Sequence, residues 1–209
     1  MQFGVDEAGR GPVLGSMFAA CVRGDPDDLP EGVADSKRLP AERRERLAVA
    51  IRERFDVAVA EVPVERIDGD EDMNTLTVAA QAEALSRVCA AEDGGVVDAC
   101  DTSESRFADR LRDRLEVAVD IRAEHGADDA YPMVAAASIV AKVARDAHVA
   151  TLADEHGAVG SGYPGDATTR EFLREFVAEH DRLPDCARES WATAQDVLAR
   201  ADQSALGDF

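Results

Sequence analysis

Short apolar runs alternate along this chain with longer stretches in which apolar residues recur at every third or fourth position. A short apolar run bounded by Gly, Pro or acidic residues is typical of a buried strand, and the three-to-four spacing is typical of an amphipathic helix. Strands are therefore predicted at the start of the chain, before Asp6, and at 13–22, 55–64, 95–98 and 115–121. Helices are predicted to end near residue 54 and to span 74–91, 106–115, 135–156, 167–179 and 191–202.

The order of these elements predicts an α/β protein with a mixed five-stranded sheet, flanked by helices and followed by a helical C-terminal part. The first two strands are expected to form a hairpin, because only a short Gly-containing segment separates them. We divide the chain into a first domain at 1–160, a helical part at 161–202 and a mobile tail at 203–209.

The net charge of −20 changes the expectation about partners. Proteins that bind nucleic acid are usually basic, whereas acidic residues outnumber basic ones here by 43 to 23. Only Lys37 and Lys142 are lysines, and an acidic, lysine-poor surface indicates adaptation to concentrated salt. In about 1 M salt the Debye length is only about 3 Å, so repulsion between this surface and phosphate groups fades beyond contact distance. The charge therefore does not exclude a nucleic-acid substrate.

The chain shows no sign of a membrane or secreted protein. No apolar stretch approaches the roughly 18 residues of a membrane span, and the N-terminus lacks the basic-then-apolar pattern of a signal peptide. The four cysteines are scattered without a Cys-x-x-Cys pair, which indicates neither a zinc site nor a disulfide framework. We expect a cytoplasmic monomer.

Candidate chemistry begins with two adjacent acids, Asp6 and Glu7, which end the first predicted strand and precede a Gly-Arg-Gly turn at 9–11. Successive strand side chains point to opposite faces, so at least one of the two acids faces the core or a cleft. A buried carboxylate needs a positive partner, and a divalent cation shared with other acids is a usual solution. The strand at 95–98 also ends in an acid, Asp98. For the acid pair alone, a solvated acidic turn would be the alternative.

Three ordered motifs resemble those of the ribonuclease HII family, the type 2 ribonucleases H. They are Asp-Glu-Ala-Gly-Arg-Gly-Pro at 6–12, Asp-Ser-Lys-Arg-Leu at 35–39, and Ala-Ala-Ser-Ile-Val-Ala-Lys-Val-Ala-Arg-Asp at 136–146. The resemblance continues to Ser-Trp-Ala-Thr at 190–193 and so covers nearly the whole chain. Each motif alone is short, and it is their order and separation that make the resemblance specific. It implies a ribonuclease H-like fold, with 1–160 as the catalytic domain.

The resemblance also implies a metal centre in which four acids hold two Mg2+ or Mn2+ ions. Matched by motif, the first two acids are Asp6 and Glu7, and the third is the acid that closes the Val-Val strand. Asp98 fits that place, and Asp101 is the alternative. Two ions about 3.5–4 Å apart would activate a water molecule and stabilise the leaving oxygen of a phosphodiester, so the reaction needs no histidine.

The fourth acid of the family lies four residues before a proline that precedes the Ala-Ala-Ser helix. That proline is Pro132 here, which assigns the place to Asp128, with Asp129 as the alternative. His125 lies three residues before Asp128, where it could support a metal ligand.

The resemblance also implies substrate contacts at three places. In the family the Gly-Arg-Gly turn, here Gly9, Arg10 and Gly11, recognises the ribose together with the tyrosine of a Gly-Tyr-Pro motif, here Tyr163. Glycines allow the backbone to approach a sugar closely, and the 2′-hydroxyl is the group that distinguishes RNA from DNA. Lys37 and Arg10 are the expected phosphate contacts.

The end of the chain resembles a clamp-binding box, with Gln203, an aliphatic Leu206 three residues later and Phe209 three residues beyond. One helical turn would place Leu206 and Phe209 on one face, ready for an apolar pocket. The pattern predicts a contact with a sliding clamp (PCNA).

The sequence therefore predicts a metal-dependent endoribonuclease that cuts the RNA strand of RNA–DNA hybrids and nicks duplex DNA on the 5′ side of single ribonucleotides. Its products would carry 3′-hydroxyl and 5′-phosphate ends, and its tasks would be ribonucleotide and primer removal. Two alternatives stay open at this point. One is another two-metal nuclease on the same fold, such as a junction resolvase, and the other is a non-catalytic adaptor that binds the clamp.

Overall fold

A computed structural model describes residues 1–33 and 39–207, with side chains described as far as residue 201. This part of the chain contains five strands and seven α-helices. The strands are β1 (Gln2–Ala8), β2 (Met17–Gly24), β3 (Asp56–Val62), β4 (Gly94–Asp98) and β5 (Asp120–Glu124). The helices are α1 (Ala41–Arg54), α2 (Val64–Ile67), α3 (Met73–Val88), α4 (Glu104–Arg112), α5 (Pro132–His156), α6 (Ala167–His180) and α7 (Ala192–Gly207).

The five strands form one sheet in the order β3-β2-β1-β4-β5. β1 and β2 are antiparallel, with Ala8 opposite Phe18, whereas β1 with β4 and β4 with β5 are parallel. The predicted mixed five-stranded sheet and its first hairpin are thereby confirmed. β1 is hydrogen-bonded on both sides, which makes it the strand that positions its neighbours.

The described chain forms two compact units. The first takes residues 1–8, 17–61 and 72–145, and so contains the sheet. The second takes 9–16, 62–71 and the described residues from 146 onward. The division of the chain at residue 160 that the sequence suggested stays a prediction.

In the first unit, α5 lies directly against β1. A Cβ atom on Gly4 would come within 2.1 Å of the backbone carbon of Met133, so only glycine permits this approach. The Ala-rich first half of α5 supplies small buried side chains, among them Ala136 and Ala137, which pack with Ile51 of α1 in one apolar cluster. Small residues on both elements thus set the short distance between helix and strand.

In the second unit, α6 and α7 form an apolar core with residues from the segment between β1 and β2. Val13 and Leu14 are buried in this core beside Leu173 and Val197. The sequence placed Val13 and Leu14 in a strand at 13–22, but β2 begins only at Met17. The prediction was wrong there because the apolar residues serve helix packing and not the sheet.

The fifth strand also differs from its prediction at 115–121. β5 runs from Asp120 to Glu124, and its residues pair in register with β4 from Gly94 to Asp98. Its buried side chains are Ile121 and Ala123. The apolar residues before it are only half-buried, and their alternation therefore resembled a strand in the sequence.

Among the helices of residues 1–33 and 39–207, none combines the length and the apolar character that a bilayer crossing requires.

Substitution of Gly4 by alanine is expected to lower the free energy of unfolding by about 3 kcal/mol, because the added methyl group meets the backbone of α5. Urea denaturation followed by circular dichroism measures this change. Gly165→Ala is the control, since a Cβ atom there meets nothing within 4 Å and a change within about 1 kcal/mol is expected. Equal losses in the two variants would contradict the close approach of α5 to β1.

Candidate active site

Three carboxylates meet at the ends of two adjacent parallel strands. Asp6 and Glu7 lie near the end of β1, and Asp98 is the last residue of β4. Because parallel strands end at the same edge of a sheet, their last side chains are brought together. One oxygen atom from each of the three carboxylates lies within 4.8 Å of the others. Asp6 is buried, and the other two are half-buried.

Glu7 is held by α3 on one face of the sheet. The amide Nε2 of Gln81 donates a hydrogen bond of 2.7 Å to Glu7 Oε2 and one of 3.1 Å to the backbone oxygen of Asp98. Gln81 is completely buried, so this amide joins the ends of β1 and β4 away from water. Gln81 was not predicted from the sequence, where its only signal is a polar residue among apolar helix positions.

Asp6 is held from α5. Its Oδ1 accepts a hydrogen bond of 2.7 Å from the backbone N–H of Glu7, and the hydroxyl of Ser138 also bonds to its carboxylate. Lys142 Nζ in turn donates to Ser138 Oγ over 2.8 Å. Asp6 and Glu7 therefore have partners on different helices, as the alternation of strand side chains requires. Ser138 lies in a motif that carried the family resemblance, but its contact with Asp6 was not predicted.

The surroundings raise the pKa of Asp6 well above its ordinary value. Burial contributes most, the charges of Glu7 and Asp98 add to it, and the hydrogen bonds from Ser138 and the Glu7 N–H oppose it. The folded protein thus holds the Asp6 carboxylate where its negative charge is unfavourable. A cation bound to Asp6 would offset this electrostatic cost.

Asp98 is linked directly to the turn that carries Asp128. The backbone N–H of Ala127 donates a 2.7 Å hydrogen bond to Asp98 Oδ1. Asp128 is the next residue, half-buried in a short 3-10 turn at 127–129. Its carboxylate is not one of the three that lie within 4.8 Å of one another in the described chain. Asp129 is exposed in the same turn.

Asp101, the alternative to Asp98, is committed to other partners. Its carboxylate is buried and forms ion pairs with Arg106 and Arg110 of α4, the second at 3.4 Å. It also accepts a 2.6 Å hydrogen bond from the N–H of Thr102. The hydrogen bond from Arg106 holds the pKa of Asp101 far below its usual range. Its role in this arrangement is to anchor α4.

His125 fixes the chain just before the Asp128 turn. One ring nitrogen lies 2.6 Å from the backbone oxygen of Asp101, and Nδ1 lies 2.9 Å from the carboxylate of Glu104. Both contacts favour the protonated ring and raise the pKa of His125. Neither contact joins His125 to the three clustered carboxylates.

The donor set fits a hard divalent cation. All three clustered side chains offer carboxylate oxygens, the ligands that Mg2+ and Mn2+ prefer. Three negative charges within one small region repel each other, and Asp6 has the added cost of burial. The residues present are thus suited to hold at least one such ion.

The predicted substrate residues that the structure describes lie in the second unit. The ring of Tyr163 would be 3.7 Å from a Cβ atom on Gly11, so the tyrosine and the Gly-Arg-Gly turn are neighbours. Tyr163 is 45% exposed, which leaves much of its ring accessible. Gly9 has φ of +94°, a conformation that favours glycine.

Several predicted residues lie outside the described part. Lys37 is one of them, and so is Phe209 at the end of the chain. Only the backbone of Gln203 and Leu206 is described, and it is part of α7. Their predicted contacts with phosphate or with a clamp stay predictions.

Comparison with known proteins gives one consistent result. The family model described as ribonuclease HII matches residues 3–194. Ribonuclease HII of Halobacterium salinarum is 62% identical over 210 residues, which cover 100% of this chain and 99% of that protein. The crystal structure of ribonuclease H2 from Pyrococcus horikoshii has a TM-score of 0.90 and 35% identity, over 97% of this chain and 99% of that one. The ribonuclease HII in a PCNA complex from Archaeoglobus fulgidus has a TM-score of 0.84 and 38% identity, over 94% and 96%.

Removing one of the three clustered charges should stabilise the metal-free protein. Without divalent ions, Asp6→Asn is expected to melt about 2–4 °C above the wild type, which corresponds to about 1 kcal/mol. The difference should shrink as the pH falls through the raised pKa of Asp6, because the wild-type carboxyl then becomes neutral too. Added Mn2+ should raise the melting temperature of the wild type but not that of the variant.

Asp101→Asn is the matched control for this experiment. It should melt below the wild type, because Arg106 and Arg110 lose their partner, yet keep the increase caused by Mn2+. If Asp6→Asn responded to Mn2+ as the wild type does, the carboxylate cluster would not be the metal site.

Proposed function

Because this chain belongs to the ribonuclease HII family, we propose that it nicks duplex DNA on the 5′ side of a single embedded ribonucleotide and leaves 3′-hydroxyl and 5′-phosphate ends. Its activity as a ribonuclease H, the hydrolysis of RNA in RNA–DNA hybrids, is that of the family. The preference for a single ribonucleotide and the chemistry of the product ends go beyond this family activity. The biological tasks would be the removal of misincorporated ribonucleotides and of primers, which belong to the cytoplasm where the chromosome is copied.

The observation that carries the proposal is the group of three carboxylates within 4.8 Å at the ends of β1 and β4. We propose Asp6, Glu7 and Asp98 as metal ligands and Asp128 as the fourth, since Asp128 lies in the turn whose Ala127 N–H donates to Asp98. Two bound Mg2+ or Mn2+ ions would lower the pKa of an attacking water and neutralise charge on the leaving oxygen. No histidine is needed for this reaction.

The chain's own contribution is to hold these acids in place. Gln81 fixes Glu7 relative to the end of β4, and Ser138 with Lys142 orients Asp6. Both supports are buried or half-buried, so water does not compete strongly for them. The acids are therefore oriented before a substrate arrives, which reduces the reorganisation that the reaction requires.

Selection for a ribonucleotide is proposed to come from the turn of Gly9, Arg10 and Gly11. Gly9 follows Glu7 by two residues, so the turn continues the strand that bears the acids. A ribose 2′-hydroxyl both donates and accepts hydrogen bonds, and a glycine-rich backbone can offer both partners at close range. Tyr163, beside Gly11 and partly exposed, would stack on the sugar that follows. Arg10 and Lys37 would contact phosphates.

We also propose that the C-terminal end binds a sliding clamp through Gln203, Leu206 and Phe209. The Archaeoglobus fulgidus protein of the PCNA complex is 38% identical to this chain. The helical backbone of α7 continues through Gln203 and Leu206, which suits a short helical turn entering an apolar pocket.

The proposed cleavage is tested on a labelled DNA duplex with one ribonucleotide, in molar KCl with Mn2+ or Mg2+. The wild type should give one nick 5′ to the ribonucleotide. Asp98→Asn should lose about a hundredfold or more in rate, because a metal ligand is removed. Asp101→Asn should keep the activity at a temperature at which it is folded. No nick in any metal would contradict the proposal, and cleavage of a branched DNA instead would favour a junction resolvase.

Deletion of residues 203–209 should abolish binding to a clamp and leave the cleavage of the isolated duplex unchanged. Surface plasmon resonance against an archaeal PCNA measures the first effect, and the duplex assay measures the second. Leu206→Ala with Phe209→Ala in the full-length chain is the matched variant, because it removes only the apolar contacts. A clamp affinity that survives both changes would rule out this tail as the binding site.

A further inference from the structure

Two carbonyl groups of the Gly-Arg-Gly turn accept hydrogen bonds from one buried cation, Arg188. Arg188 donates from Nη2 to the oxygen of Gly9 at 2.6 Å, from Nη1 to the oxygen of Arg10 at 3.0 Å and from Nε to the oxygen of Gly15 at 2.8 Å. Its side chain has no exposed surface. Burying a guanidinium is costly, so its position indicates a function beyond filling space.

Further contacts fix this guanidinium, the turn and the segment that carries Arg188. Trp191 Nε1 donates to the oxygen of Gly11 at 3.3 Å, and its ring lies under the guanidinium of Arg188, 4.9 Å from the ring centre. The Asp68 carboxylate accepts hydrogen bonds from the N–H groups of Glu189 and Ser190, at 2.7 and 3.0 Å. The segment that carries Arg188 and Trp191 is thus anchored at its own backbone.

The geometry of the peptide bond determines the direction of the N–H groups in this turn. In a planar trans peptide, the carbonyl of one residue and the N–H of the next point in opposite directions. With the Gly9 and Arg10 carbonyls directed at Arg188, the N–H groups of Arg10 and Gly11 are directed away from it. The next residue is Pro12, which has no N–H, so the N–H groups of Arg10 and Gly11 are the last two backbone donors of this turn.

A guanidinium is suited to this task and an ammonium is not. Its planar fork reaches several acceptors at fixed angles, whereas a lysine provides one point charge. The positive charge on the carbonyl side also polarises each peptide, which strengthens the N–H on the opposite side as a donor. Arg188 therefore affects both the direction and the strength of the two donors.

We infer that Arg188 is a positioning residue for ribonucleotide recognition, which sets the Arg10 and Gly11 N–H groups as a donor pair for the ribose 2′-hydroxyl. This inference rests on the proposed function, in which the turn selects a ribonucleotide. Arg188 itself is buried beneath the turn and acts only through the backbone.

The test separates this role from a contribution to stability alone. The dissociation constants of a duplex with one ribonucleotide and of the same duplex made only of DNA are measured by fluorescence anisotropy, with Ca2+ as the divalent ion. A partly unfolded sample raises both apparent constants by the same factor, so their ratio reports selection and not folding. Wild type, Arg188→Lys and a control are compared. Arg112→Lys serves as the control, because Arg112 also donates to a backbone oxygen, that of Ile121, but in the first unit.

The wild type should prefer the ribonucleotide duplex, and Arg188→Lys should reduce the ratio by about tenfold, the value of one well-directed hydrogen bond. Arg112→Lys should leave the ratio at the wild-type value. A wild-type preference that persists in Arg188→Lys would overturn this inference alone. A wild-type ratio near one would overturn ribose selection by the turn, and this inference with it, whereas the cleavage assay decides the proposed function separately.

If Arg188→Lys does not fold, the same ratio of dissociation constants is measured for Trp191→Phe. That variant keeps an aromatic ring under the guanidinium but loses the hydrogen bond to Gly11. A loss of about threefold in the ratio supports the inference, since one weak bond of the same set is removed. An unchanged ratio in Trp191→Phe overturns it.

Discussion

Repulsion between the carboxylates of Asp6, Glu7 and Asp98 is the constraint that the rest of the first unit has to accommodate. Parallel strands bring the three groups together, and burial adds a desolvation cost for Asp6. The surrounding structure supplies hydrogen-bond donors to these acids: the Gln81 amide from α3, the Ser138 hydroxyl from α5 and backbone N–H groups. Donors of this kind orient the acids without neutralising them, so their charge stays available for a metal ion.

The sequence could reveal the acids because their positions follow from local rules. A strand that ends in a carboxylate is visible as a short apolar run with an acid after it, and this held for Asp6 and for Asp98. The supports could not be found in this way. Gln81 and Ser138 matter only because α3 and α5 pack on opposite faces of β1, which no periodicity of one helix reveals. The structure was also needed to show that Asp98 lies with Asp6 and Glu7, whereas Asp101 pairs with arginines of α4.

The fold was predictable to a similar depth. Helices with a clear apolar face were predicted within a few residues of their true ends. The number of strands and the mixed character of the sheet were also predicted correctly. The errors occurred where apolar residues do not form part of the strand that their local pattern predicts. Val13 and Leu14 looked like a strand but contribute to the core of α6 and α7, and the residues before β5 alternate in hydrophobicity without pairing. Such tertiary uses of a short apolar run are not encoded in its local pattern.

The turn after β1 receives its supporting hydrogen bonds only late in the synthesis of the chain. Its glycines are made within the first dozen residues, but the groups that hold its carbonyls, Arg188 and Trp191, come near the end of the chain. While the ribosome is still adding the final helices, the acids can already lie on their strand, but the turn lacks the groups that orient it. A nascent or truncated chain without Arg188 and Trp191 therefore lacks the hydrogen bonds that hold the carbonyl groups of this turn.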